Sequence, residues 1–152
     1  MSIRVGGYGG FIVFQGDKGG SNRSRSVRMY YFHGSGGGSP VTKGVIQTNR
    51  RAASVDADIY WSGHIHEAWV HHDVAISPCL NTKRIVDRQV THISTSTYKR
   101  EWNARGGWHT ERGAPMKPIG SMWLKFKYGR VTIDGERKYA MTYEVSPCLN
   151  EY

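Results

Sequence analysis

The stretch "YWSGHIHEAWVHHD" occupies residues 60–73 and holds a short aromatic and apolar run, a glycine, and two histidines one residue apart. With its lead-in, "DIYWS" at 58–62 has the length and composition of a buried strand that stops at Gly63, and "EAWVHHDVAI" at 67–76 reads as its extended continuation. In extended chain the side chains at i and i+2 share a face, so His64 and His66 are expected to point to one site while Ile65 packs behind them. Neutral imidazole is the commonest metal ligand, and such a pair suits zinc, manganese or iron. A strand in which histidine merely alternates is the plainer reading of the same residues, because two ligands do not make a site.

Working outward, "FIVFQ" at 11–15 and "VRMYYFH" at 27–33 are rich in β-branched and aromatic types, and the "GDKGGSNRSRS" between them has a turn composition. A hairpin with a basic tip follows, where Arg23, Arg25 and Arg28 add positive charge and are expected to be solvated. Beyond it Ser39 suits an N-cap and Pro40 a first helical position, with Val41, Val45 and Ile46 at helical spacing. These predict a short helix from Pro40 to Ala53, which Gly44 weakens. Further strands are expected at 84–94, 119–128 and 137–145. The fold class expected is therefore α/β, predominantly β, in a single domain over residues 1–152. Residues 95–118 have no period and many Gly, Pro and charged residues, as functional loops do.

The composition narrows the partners. The chain has 152 residues, enough for one core and too few to suggest two. Its net charge of +9 favours a polyanionic neighbour such as nucleic acid or a phosphorylated substrate. No run approaches the ~20 apolar residues that span a bilayer, and the first fifteen lack a signal-peptide pattern, so a cytoplasmic protein with no membrane partner is expected. Cys79 and Cys148 lie in identical "SPCLN" pentapeptides, and in a reducing compartment free thiols are expected rather than a disulfide.

Other motifs are weaker. The "HGSGGGSPVTK" segment fails the spacing of a phosphate-binding P-loop. His71 and His72 are adjacent, so a strand sends them to opposite faces and one at most joins any cluster. His92 reads as structural. His109 and Arg112 lie in the long loop and are the candidate substrate-binding residues. There Tyr98, Trp102 and Trp108 interleave with Lys99, Arg100 and Arg105 in a pattern that can stack on bases and contact phosphates, or simply cap a small core.

Two strand ends carry a resemblance. "YYFHG" at 30–34 ends a strand in His33-Gly34, and the next strand ends in Gly63-His64-Ile65-His66. This pairing resembles the last two motifs of the calcineurin-like metallophosphoesterases. The wider pattern, from "HGSGGGSPVTKGVIQTNRR" through "SGHIHEAW" to "GGWHTERGAPMKPIG", is similar to the C-terminal part of members carried by bacteriophages and bacteria. The glycine before the pair has a mechanical reason, since the backbone must turn sharply at a strand end to bring two imidazoles to the metals.

The resemblance implies half of a four-layer α/β/β/α sandwich, with His33 and His64 binding one divalent transition metal (Mn, Zn or Fe) and His66 the other. It implies a hydrolase acting on phosphoesters, with nucleic acid or nucleotide substrates suggested by charge, in the host cytoplasm if the chain is viral. The family's earlier motifs, Asp-x-His and Gly-Asn-His with their bridging aspartate and catalytic histidine, are missing, and Gly16-Asp17 is the only Gly-Asp before His33. No catalytic residue is therefore assigned. Completion by a separately encoded N-terminal half, or association as a homo-oligomer, is expected. The alternatives are one zinc held by three histidines, and a catalytically inactive basic β-rich module that binds nucleic acid or a protein partner.

Overall fold

The computed structural model describes residues 6–15, 26–37, 39–80, 83–100, 108–133 and 135–149, apart from the side chains of 108, 109, 133, 136 and 138. Within them lie strands β1 (Gly9–Phe14), β2 (Val27–Phe32), β3 (Ile59–Ser62), β4 (Trp69–Cys79), β5 (Arg84–Ser94), β6 (Gly120–Ile133) and β7 (Glu136–Leu149). Two short helices, α1 (Val45–Ala52) and α2 (Trp108–Glu111), complete the set, so the chain is predominantly β.

Five strands form a mixed sheet in the order β1-β2-β3-β5-β4, and β6 and β7 form a separate antiparallel pair. Strands β2, β3 and β5 run parallel, while β1 and β4 pair antiparallel at the two edges. Alternation along the strands sorts the two faces. Val27, Met29, Ile59 and Ile93 point to one side, where Met122 of β6 closes a buried core with Leu124, Phe126, Tyr143 and Val145 around it. The Thr91 and Tyr143 hydroxyls, 2.9 Å apart, tie the two sheets together. Tyr60 and Val90 point to the other side, beneath Ala52 and Val55 of the α1 region.

An ion cluster holds the start of β3. The carboxylate of Asp58 accepts hydrogen bonds from the Arg28 backbone N–H at 2.8 Å and the Arg88 guanidinium at 3.0 Å. Asp56 bridges the same two arginines at 2.6 and 2.7 Å. The Arg28 hydrogen bond holds the Asp56 carboxyl below its ordinary value against partial desolvation, with Arg88 adding to it.

Three expectations need correction. The helix begins at Val45 rather than Pro40, because Gly44 takes a left-handed φ of 82° and interrupts the turn that Ser39 starts. Ser39 caps only that turn, through Val41 N–H to its hydroxyl at 3.3 Å and Lys43 N–H to its carbonyl at 2.8 Å. Val41 is consequently 89% exposed, and Thr48 is the buried residue of the helix. The "EAWVHHDVAI" segment does not continue β3. It forms most of β4, which pairs with β5 and lies beyond it from β3.

The long loop is tied at its ends by a parallel bridge between Thr97 and Ile119. Its Trp102 and Arg105, like Asp17, Arg23 and Arg25 of the first hairpin tip, lie outside the described residues. Cys79 and Cys148 are thiols with no disulfide between them. Among the described residues no helix is long and apolar enough to cross a membrane.

Candidate metal centre

The register of the parallel strands creates the site. Phe32, Ser62 and Ser94 are paired across β2, β3 and β5, so these strands end level with one another. The next residues continue the pairing briefly: Gly63 N–H donates to the His33 carbonyl at 3.2 Å and Thr95 N–H to Ser62 at 2.9 Å. Loops leaving the carboxyl ends of parallel strands form the crevice in which open α/β sheets bind ligands.

His33 and His64 meet there. Their rings are 5.1 Å apart between centroids, with His64 Nδ1 3.2 Å from His33 Nε2, and both residues are exposed. Gly34 makes the approach possible. At φ 104° a β-carbon on residue 34 would stand 2.7 Å from the Gly63 carbonyl oxygen and 2.9 Å from the His64 β-carbon.

The turn itself differs from the one expected. Gly63 is not in the left-handed region; His64 and His66 are, with φ of 70° and 59°. Residues 63–68 are not strand, so the two-residue alternation that was to put both imidazoles on one face does not operate. Ile65 packs against Gly44, close enough that a β-carbon there would lie 2.2 Å from its Cδ1. Left-handed backbone at a residue other than glycine costs of order 1–3 kcal/mol and gathers at functional sites.

Neighbouring elements brace the turn. Glu67, buried, pairs with Lys117 of the long loop. The Trp69 indole N–H donates to the Lys43 carbonyl at 2.9 Å. On the β1 side, Tyr8 accepts the His33 backbone N–H at 2.8 Å, donates its hydroxyl to the Gly34 carbonyl at 3.1 Å, and sets its ring 4.9 Å from that of His33. Nothing in the motif pattern singles out Tyr8; only antiparallel pairing of β1 with β2 brings it there.

Two imidazole nitrogens 3.2 Å apart have two chemical uses. With both rings neutral, one N–H can donate to the other nitrogen. Alternatively both lone pairs can converge on one cation, since nitrogens each about 2.0–2.1 Å from a tetrahedral zinc lie about 3.3 Å from each other. His66 is half-buried two residues on. Among the described residues no three His, Cys, Asp or Glu side chains gather as a set for one ion.

Arg112 is exposed in the turn after α2, and the His109 side chain lies outside the described residues. His71 and His72 take opposite faces of β4, as expected. His71 reaches Asp73 at 3.2 Å, and His72 reaches the Thr91 hydroxyl at 3.1 Å. His92 is buried and stacked on Tyr60, with rings 4.9 Å apart. No protein-family model, curated protein or solved structure matches the chain.

Proposed function

We propose that this chain supplies one side of a metal-dependent phosphoesterase centre of the calcineurin-like type, acting on nucleic acid or nucleotide phosphoesters. The observation that carries the reading is the His33–His64 pair at level ends of adjacent parallel strands, at a separation suited to one cation. The layering of α1, the five-stranded sheet and the β6–β7 pair supports reading the chain as part of an α/β/β/α sandwich.

In this proposal His33 and His64 hold a divalent transition metal and His66 contributes to a second. When bound, such metals acidify water and neutralise charge on the attacked phosphate. Tyr8 braces His33 and Gly34, and left-handed backbone at His64 and His66 turns the chain at the strand end. The remaining ligands, above all a bridging carboxylate, come from residues outside these 152. Val74, Ile76 and Ile85, exposed on the sheet face that β6–β7 covers elsewhere, support association with the chain that provides them.

Hydrolysis of bis(p-nitrophenyl) phosphate with added Mn²⁺ tests the proposal, together with calorimetric titration of Mn²⁺. Turnover or stoichiometric metal binding that His64→Ala abolishes is the expected result. A protein that neither binds Mn²⁺ nor turns over, alone or with an added N-terminal half, overturns it. The net charge of +9 favours one rival, a basic module that binds nucleic acid without turnover.

A further inference from the structure

We infer that a ledge of aromatic rings running from β1 to His33 is a track for single-stranded nucleic acid, leading its backbone to the histidine pair. The inference deepens the function proposed above, and depends on it only for what happens where the track ends.

Phe11 of β1 and Tyr30 of β2 are register partners and face the side of the sheet that carries α1. Their rings are 5.1 Å apart between centroids. Tyr30 and Phe32 follow at 6.5 Å, nearly parallel at 11°. Phe32 meets Tyr8 edge-on at 5.5 Å, and Tyr8 meets His33 at 4.9 Å. The rings thus form an unbroken series that finishes at the candidate metal ligand.

The series is open at Phe11 and Tyr8, with Tyr30 and Phe32 half-buried between them. Phe11 is 56% exposed and Tyr8 63% exposed, both far above what a core aromatic shows. Gly9, opposite Phe32, lets that ring lie across the edge strand, since a β-carbon on it would stand 2.9 Å from the ring. Arg51, in the last turn of α1, places its guanidinium 4.3 Å over Phe32.

Aromatic faces accept bases of any sequence by stacking, and an interleaved guanidinium contacts the phosphates between them. Only unpaired bases offer free faces, which selects single strands over duplex. A protein partner has less to recommend it, because the net charge of +9 attracts a polyanion and the ledge ends at residues suited to phosphoester chemistry.

Fluorescence anisotropy of a labelled oligothymidylate, recorded in EDTA at several salt concentrations, isolates the track from any hydrolysis. The expected result is binding that weakens as salt rises, about tenfold weaker in Phe11→Ala. In Arg51→Gln the logarithmic salt slope should fall by about one. Phe11→Trp should bind as wild type does. So should Trp123→Ala, which removes an equally exposed aromatic from the other sheet. No binding, or equal affinity in Phe11→Ala, overturns the inference, as does capture of a protein partner by the ledge with no oligonucleotide bound. Binding in EDTA without Mn²⁺-dependent turnover of bis(p-nitrophenyl) phosphate upholds the track and removes support from the catalytic reading. Turnover without binding does the reverse.

Discussion

Gly34 lies against Gly63 so closely that a β-carbon on it would meet the Gly63 carbonyl oxygen at 2.7 Å, whereas a β-carbon on Gly63 would find its nearest neighbour, the Thr95 hydroxyl, at 3.3 Å. The two glycines that flank the histidine pair are therefore unequal. Gly34 also sits at φ 104°, which side chains rarely adopt, and Gly63 does not take a positive φ. Gly34→Ala should cost about 2–5 kcal/mol, combining backbone strain with overpacking against main chain that cannot move aside. Gly63→Ala should cost no more than about 1 kcal/mol, because a hydroxyl can give by a few tenths of an ångström. Urea denaturation of both variants checks this, and equal losses would contradict the assignment of the tight contact to Gly34.

His64 is held at φ 70°, a conformation that glycine adopts freely. Replacing it with glycine removes about 1–2 kcal/mol of backbone strain and adds about 0.5–1 kcal/mol of unfolded-state entropy. His64→Gly should therefore match or exceed the wild type in stability, by up to about 1.5 kcal/mol, while losing whatever the imidazole binds. Thermal denaturation with Mn²⁺ titration on the same sample separates the two effects. A variant less stable by several kcal/mol would mean that the imidazole holds the fold rather than a ligand.

Much of this architecture is legible in the order of residue types. "VRMYYF" and "IYWS" are dense in β-branched and aromatic residues and become the central parallel strands β2 and β3. The crossover through α1 follows from a helical pattern between them. What composition could not disclose was pairing. "EAWVHHDVAI" is extended, as its residues require, but which strand it joins depends on the turn in which His64 and His66 take left-handed backbone, a conformation uncommon outside glycine even though histidine adopts it more often than most. The helix start failed for a related reason. Ser39-Pro40 is a sound local signal, yet the approach of Ile65 to Gly44 is a tertiary contact between segments remote in sequence. Of the candidate site, the meeting of His33 and His64 at neighbouring strand ends was readable. Tyr8 and the aromatic ledge were not, because they arise from antiparallel pairing of an edge strand.

His92 ties stability to pH. It is 2% exposed, stacked on Tyr60, with Nε2 3.3 Å from an Asp73 carboxylate oxygen. Burial pushes its imidazole below the usual histidine value, Asp73 opposes that, and the nearby His71 reinforces it. A histidine with a depressed folded-state value takes up its proton more readily when unfolded, so acid favours unfolding. The contribution is complete above about pH 6.5, the unfolded value, and is lost as pH falls toward the folded one. Melting temperature should decline between about pH 7 and pH 5, and the decline should be shallower in His92→Gln. A slope unchanged by that substitution would assign the acid sensitivity to other groups.

Docking of the β6–β7 pair on the main sheet combines apolar packing with polar contacts through the Tyr143 hydroxyl, and the two can be weighed separately. Ile93 is fully buried and packs in the cluster that Met122 closes, so Ile93→Ala should cost about 2–5 kcal/mol through lost transfer energy and the cavity left behind. Tyr143→Phe keeps the ring and removes a hydroxyl that meets Thr91 at 2.9 Å and the Asp58 carbonyl at 3.4 Å. Thr91 is completely buried, which would make an orphaned hydroxyl expensive, but it retains His72 Nδ1 at 3.1 Å. Tyr143→Phe should therefore cost only about 0.5–1.5 kcal/mol. His72→Leu removes the second partner, and the double variant should lose more than the sum of the single losses, because Thr91 then has neither neighbour. Additive losses in urea denaturation would show that the Thr91 hydroxyl finds another acceptor within the core.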